Sequence, residues 1–330
     1  MSRGFLVRLL GVCAIIVGTL APCMASGQTA ASFPARPVRI VIPLPPGGVT
    51  DGMARFIAQK MQETWGQPVV PENRPGASHF IAAEHVAKSA PDGHTILFAN
   101  HATLAMNAGL FAKLPYDPLN DFTAISLVVT SQNVLMAHPS VPAKDLRELV
   151  TLAKAQPGRL NYGSQGQGSS GHIGIAMIAH QTGISLVHVP YKGPAPATQD
   201  LIGGQVQLLF DTVFSQLANL RSGKLKALAI STLERHPLLP EVPTVAEQGL
   251  PGYEVVPWFG LVAPATTPRD IVAKLNAEVV RILQDEAQRK RLTDLGLTVV
   301  GSTPEAFQKH INQEHAKWSK LIRELNIRAD

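Results

Sequence analysis

The sequence predicts an α/β protein of two lobes, each a mostly parallel sheet flanked by helices. Three observations carry this expectation. Short β-branched and apolar runs alternate along the chain with stretches of helical period, as expected for parallel strands joined by covering helices. The chain has 330 residues, 45% hydrophobic and 16% charged, which is enough apolar material for two cores and too few charges for a disordered chain. Two strand-like segments, residues 122–130 and 253–263, lie about 130 residues apart and read as crossings between lobes. Lobe 1 is therefore expected to comprise residues 26–126 and 257–330, and lobe 2 residues 127–256, with a cleft between them.

The elements follow in order. Arg3 and Arg8 flank the start of an apolar stretch over residues 5–20, followed by Ala21-Pro22-Cys23-Met24-Ala25. That is the pattern of a secretory signal over residues 1–25, cut after Ala25. A lipoprotein signal at Leu20-Ala21-Pro22-Cys23 fits less well, because proline precedes the cysteine. Cys13 and Cys23 both lie in this leader, so the exported protein is expected to rest on packing and not on disulfides. No later stretch reaches 18 apolar residues, so no membrane anchor is expected in the mature chain.

Residues 38–44 form a β-branched and apolar run broken only by Arg39, the signature of a strand buried on both faces. A Pro/Gly turn at 45–51 leads into a helix over 52–65, whose stripe is Met53, Phe56, Ile57, Met61 and Trp65. The unit repeats: Val69-Val70, a turn at Asn73-Arg74-Pro75-Gly76, a helical stretch to Lys88 and a strand over 95–99. A helix over 146–155 precedes a strand over 159–162, a glycine-rich loop over 163–171, a helix over 172–181 and a strand over 185–189. Helices over 271–283 and 304–325 are expected to pack back on lobe 1.

Composition excludes several function classes. Aromatic residues are 5% and the formal charge is +5, with no Lys/Arg run of five, so a nucleic-acid surface is not expected. Of the 11 histidines, the closest cluster is His310-x-x-x-Glu314-His315, whose histidines do not share a helix face, so no metal is expected. Gly166-x-Gly168-x-x-Gly171 has the spacing of a dinucleotide fingerprint. The next strand, however, runs into His188-Val189-Pro190-Tyr191-Lys192 and lacks the acidic residue that would hold a ribose. Ser164 and Ser169 lie near, but not in, a Gly-x-Ser-x-Gly elbow, since position 162 is Tyr and 167 is Gln. No cofactor is expected.

Two loops remain as candidate sites. Gly47-Gly48-Val49-Thr50-Asp51 joins a strand to a helix, where free N–H groups and the positive end of the helix dipole favour an anion. Asp51 cannot attract a carboxylate and is expected to cap the helix or hold water. The loop from Gly163 to Gly171 offers serine hydroxyls and amides at a second helix start, suited to another anionic group. His101 and His172 sit at loop or helix-start positions facing the same cleft.

The motifs Pro45-Pro46-Gly47-Gly48-x-Thr50-Asp51, Glu72-Asn73-Arg74-Pro75-Gly76-Ala77 and Ala90-Pro91-Asp92-Gly93 occur in order with Leu114-Pro115-Tyr116-Asp117-Pro118 and Leu160-Asn161-Tyr162-Gly163-Ser164. They continue through His188-Val189-Pro190-Tyr191-Lys192-Gly193, Gly203-Gly204-Gln205-Val206, Pro243-Thr244-Val245-Ala246-Glu247 and Trp258-Phe259-Gly260. In this combination the sequence resembles the Bug-type, or tripartite tricarboxylate transporter, periplasmic substrate-binding proteins over nearly all of the mature chain. The resemblance implies a two-lobed periplasmic binding protein of type II, a Venus flytrap closing on one small organic acid. It implies that amides, hydroxyls and ordered waters from the two loops hold a carboxylate. It further implies delivery to inner-membrane transporter subunits.

The sequence departs from the family at Ser78-His79-Phe80 and at Asn100-His101, segments that border the cleft in relatives. A Phe and two His there would reshape the pocket for a flatter, more apolar or aromatic acid. The ligand-contacting candidates are Pro46, Gly47, Gly48, Thr50 and Asp51 in the first loop, and His79, Phe80, Asn100 and His101 in the departing segments. Gly163, Ser164, Gly168, Ser169 and His172 in the second loop, with Tyr191, Lys192 and Asp211, complete the set. The expected protein is a monomeric, periplasmic, non-catalytic receptor. Its rivals are a carboxylate sensor signalling to a membrane kinase and a secreted serine hydrolase using Ser164 or Ser169 with His172.

Overall fold

The computed structural model describes residues 32–328; the expected leader and cleavage site, and both cysteines, lie outside the described residues. The chain begins with β1 (Val38–Ile42), α1 (Gly48–Trp65), β2 (Val69–Asn73), α2 (Phe80–Ala87), β3 (Thr95–Asn100), α3 (Asn107–Leu110) and β4 (Phe122–Ser131). It continues through β5 (Asn133–Ala137), α4 (Leu146–Ala155), β6 (Asn161–Ser164), α5 (Ser170–Thr182), β7 (Val187–Pro190), α6 (Pro194–Ile202), β8 (Leu208–Thr212), α7 (Val213–Arg221) and β9 (Lys226–Ile230). It closes with β10 (Trp258–Pro264), α8 (Arg269–Gln284), α9 (Glu286–Asp294), β11 (Leu297–Val299) and α10 (Pro304–Glu324).

The strands form two sheets, in orders β11-β4-β10-β3-β1-β2 and β7-β6-β8-β5-β9. In the first, β1 to β4 run one way while β10 and β11 run against them. In the second, only β5 opposes the rest. The sheets are thus mixed, each with a majority direction. Only Gln132 separates β4 of the first sheet from β5 of the second, and residues 231–257 carry the chain back. Burial on both faces explains the apolar runs: every residue of β10 is buried, as are Val38, Ile40, Val41 and Ile42 of β1.

Insertion of β10 between β3 and β4 ties the C-terminal segment to the N-terminal one. The last helix reinforces that tie. The Glu314 carboxylate on α10 accepts hydrogen bonds from the Trp258 indole at 3.1 Å and the Trp318 indole at 2.8 Å. His310 packs edge-on against Trp258, with ring centroids 5.1 Å apart. The His310/Glu314/His315 segment therefore anchors α10 to the first sheet through two of its members.

Helix α1 begins four residues before the expected start at 52, and α5 begins at Ser170, two before 172. The reason is the same in both. Apolar periodicity is blind to a first turn made of Gly, Ser and Thr, whose role is to present amides and not to pack. Gly47, with φ 104°, makes the turn into α1 in a conformation that L side chains rarely adopt.

Candidate functional site

A cleft with about 490 Å³ of non-atom space, including its open mouth, lies where helices from the two sheets begin. Gly48, Val49 and Thr50 of α1 form one wall; Ser169 and Ser170 at the start of α5, Pro194 of α6, and Thr212 and Ser215 at the start of α7 form the facing one. Gly48 packs directly on the facing helices: a Cβ there would lie 3.1 Å from Pro194 and 3.7 Å from the Ser215 hydroxyl. The two walls are therefore in contact at the rim. Among the described residues, no Lys or Arg lines this cleft. What it offers an anion is helix starts and hydroxyls. Proline at the first position of α6 contributes no N–H, so amides come from α1, α5 and α7.

The first loop is braced by charge. Arg55 Nε donates to both Asp51 oxygens at 3.0 Å, and Asn73 Nδ2 donates to Asp51 Oδ1 at 3.0 Å and to the Leu44 carbonyl at 2.8 Å. The Gly47 N–H donates to Asp51 Oδ2 at 3.1 Å. Burial pushes the Asp51 carboxyl up, but these hydrogen bonds, Arg55 first, outweigh it and hold the pKa below 3.8. Asp51 thus spends both oxygens locking the turn; it is buried behind the loop and absent from the cleft lining.

The second loop is braced by a neutral stack. Ser164 is fully buried and its Oγ lies 2.7 Å from His188 Nε2. The His188 ring stacks on His172 at 4.2 Å and on Tyr162 at 4.8 Å. His172 Nδ1 accepts from the Gly168 N–H at 3.3 Å, and the Ser169 hydroxyl donates to the Gly166 carbonyl at 2.8 Å while accepting from the His172 N–H. Burial, with the neighbouring imidazole adding to it at His172, lowers the pKa to about 3 for His172 and about 4 for His188. Both rings are neutral at ordinary pH.

The cleft gathers Gly47, Gly48, Thr50, His79, Asn100, His101, Ser169 and Asp211 from the expected set. A wider outer chamber, continuous with it through Leu44, His79 and Gln165, holds Tyr191 and Lys192. The Tyr191 hydroxyl is committed to Asp200 at 2.6 Å. Pro46, Asp51, Phe80, Gly163, Ser164, Gly168 and His172 line neither chamber. Pro46 is exposed outside the mouth, and Gly163 lies within β6. Gly168 sits against α3: a Cβ there would lie 2.8 Å from Leu110 and 3.0 Å from Asn107. Phe80 turns away from the cleft, edge-on to Phe111 at 4.8 Å and to Tyr116 at 6.0 Å. Ala77, Ser78 and His79 are all left-handed, with φ 44°, 49° and 80°; this turn sends His79 to the cleft and Phe80 to the core.

Asn100 Oδ1 accepts from the Thr103 N–H at 3.0 Å and its hydroxyl at 3.1 Å, capping the wide turn Ala102–Met106. Asp211 accepts from the Thr212 N–H at 2.7 Å and Gln216 Nε2 at 2.8 Å; burial nevertheless raises its pKa to about 6. Sequence reasoning missed Gln165, Ser170, Pro194, Thr212, Ser215 and Phe259 in the lining. Thr212-x-x-Ser215 after the apolar run Leu208–Phe210 is a legible helix-start signal. Phe259 offers no such signal, because its position depends on the antiparallel insertion of β10.

Two α/β lobes joined by extended crossings, with helix starts converging on the cleft between them, define a solute-binding receptor of the periplasmic-binding-protein fold. A family model described as "Tripartite tricarboxylate transporter family receptor" matches residues 53–327, and the chain belongs to that family. It is 37% identical to Protein BugT of Bordetella pertussis, covering 97% of this chain and 98% of that one. Among solved structures it is similar to R. palustris Rpa4515 with adipate (TM-score 0.87, 36% identity, 90% of this chain and 100% of that one). It is likewise similar to MatC (Rpa3494) from Rhodopseudomonas palustris with bound malate (TM-score 0.84, 39% identity, 88% and 100%). The protein is a Bug-type receptor and not an enzyme. The buried Ser164–His188 pair belongs to the loop brace, and no cleft surface reaches the Ser164 hydroxyl.

Proposed function

We propose that this protein is a periplasmic receptor for a small organic acid, closing its two lobes, residues 26–126 with 257–330 and residues 127–256, over the carboxylate. The observation that carries this reading is the convergence of α1, α5 and α7 on a cleft whose lining, among the described residues, holds no Lys or Arg. Amides and hydroxyls meet an anion there without burying a guanidinium, which limits desolvation cost and eases release. Gly47, Gly48, Thr50, Ser169, Thr212 and Ser215 are the ligand-contacting residues in this account. The bound acids of the two R. palustris relatives support the ligand class. Family membership supports export through the N-terminal signal and delivery as a monomer to tripartite-type membrane subunits.

The test is a thermal-shift screen of mature protein that has been unfolded and refolded to strip carried-over ligand. The panel holds aliphatic di- and tricarboxylates, acidic amino acids and aromatic acids. A ligand at 100 times its Kd stabilises by about 2.7 kcal/mol, which for a chain this size is a rise in Tm of roughly 5 °C. A panel with no shift overturns the carboxylate assignment. Co-purification of the membrane subunits with the liganded, but not the stripped, protein tests the transport role against a sensor role.

A further inference from the structure

Helix α7 opens with Val213-Phe214-Ser215, and the three side chains serve three different surfaces. Val213, with Leu217 one turn later, packs into the core of the second sheet beside Val134 and Leu209. Ser215 lines the cleft. Phe214 does neither. It is half-buried, absent from the cleft lining, and packed against the apolar cluster that the first sheet forms with α1 and α8. Among the described residues, no other side chain from 133–230 joins that cluster. The core face of α7 is complete with Val213, Gln216 and Leu217, so the second sheet does not need this ring.

The seat of the ring is on α1. A Cβ on Gly52 would lie 3.5 Å from the tip of the Phe214 ring. Gly48 has a positive φ of 72°, but Gly52 has none, so backbone conformation does not call for glycine there. On helix propensity alone glycine is a poor choice inside α1. What it provides is room: a methyl would fit beside the ring, and a longer side chain would meet it. The ring is also tied to the cleft through its neighbours, since the Thr212 hydroxyl donates to the Ser215 hydroxyl at 2.9 Å and both residues line the cleft. Resting on the receptor reading above, we propose that Phe214 is a positioning residue for acid binding: seated on Gly52 across the cleft, it holds the α7 start against the α1 start and sets how long the lobes stay closed. Opening the lobes returns the ring to water, so its burial favours the closed arrangement, and a bound acid leaves only after the seat is broken.

Calorimetry and stopped-flow binding on stripped protein test this, with adipate, malate, citrate and 3-phenylpropanoate as probes. For each probe that the wild type binds, Phe214→Ala should weaken affinity about 10-fold, the worth of part of a buried ring. Nearly all of that loss should appear as faster dissociation, with association changed less than about 2-fold. Gly52→Leu, which puts a side chain where the ring sits, should act in the same way while leaving Phe214 in place. Combining the two substitutions should rescue binding to within about 3-fold of wild type, because the introduced leucine fills the space the ring vacates. Damage to the fold of either half would instead give losses that add. Affinity within about 2-fold of wild type in either single variant, a loss carried by association, or additive losses in the double variant overturns this proposal and leaves the receptor reading standing. Binding of none of the four probes by the wild type sinks both.

Discussion

The two loops that face each other across the cleft have the same outline and opposite bracing. Each leaves a strand, turns on glycine and presents the first turn of a helix. The loop before α1 is locked by an ionised network, Asp51 with Arg55, Asn73 and the Gly47 amide. The loop before α5 is locked by neutral groups, the Ser164–His188 hydrogen bond and the His172–His188–Tyr162 stack. An anion-presenting turn needs rigidity more than any particular chemistry, and the same functional surface can rest on supports that fail under different conditions.

The sharpest way to break this comparison is acid. The folded pKa values of His172 and His188, about 3 and about 4, lie below the usual 6.5. Between those limits the unfolded chain binds more protons, so the stability of the neutral stack is complete above pH 6.5 and is lost as pH falls towards 4. His79, at about 4, and His101 act in the same sense, while Asp211, raised to about 6, acts oppositely between pH 6 and 3.8. Each histidine contributes a slope approaching 1.4 kcal/mol per pH unit. Urea unfolding from pH 7 to 5 should show a steep net loss, and hydrogen-exchange protection should vanish over 164–172 before 47–51. Asp51, with its lowered pKa, keeps the first brace through that range.

The next effect is the converse. Asp51→Ala strips the first loop of its acceptor and leaves Arg55 Nε and the Gly47 amide without their carboxylate, Asn73 keeping its bonds to the Leu44 carbonyl and to Arg55; this should cost about 2 kcal/mol in urea unfolding and weaken acid binding about tenfold or more. Comparable loss of protection in the second loop would show that the two braces are not separate. The smallest effects separate contact from support. Thr50→Ala, in the cleft lining, should weaken acid binding by about 1–2 kcal/mol in calorimetry with little change in stability. Ser164→Ala, behind the loop, should instead lower stability by about 1 kcal/mol and reach binding only indirectly. Reversed outcomes would mean that the lining has been assigned to the wrong side of the loop.

The strand–glycine–helix turns were legible in the sequence because their signals are local: apolar runs, Gly47-Gly48, and Ser or Thr at a helix start. The two-sheet architecture was legible for a related reason, since β4, which ends one residue before the second sheet, and β10, which begins where the chain has returned to the first, are long apolar strands. The orientation of single side chains was not. Phe80 and His79 are adjacent, yet only His79 reaches the cleft, and three successive left-handed residues decide it. Ser164 and His172 belong to the expected loop but face inward, because a stack with His188, on a strand 24 residues later, captures them. Phe259 enters the cleft only because β10 inserts antiparallel between β3 and β4.

The most direct measurement is an amide-resolved NMR titration of the stripped protein with the acid that best raises its Tm. Held between the lobes by helix starts, one carboxylate should shift the Gly48–Thr50 and Ser169–Gly171 amides together, saturating at one equivalent. Shifts confined to one of the two loops, or saturating at different ratios, would contradict a single carboxylate shared across the cleft.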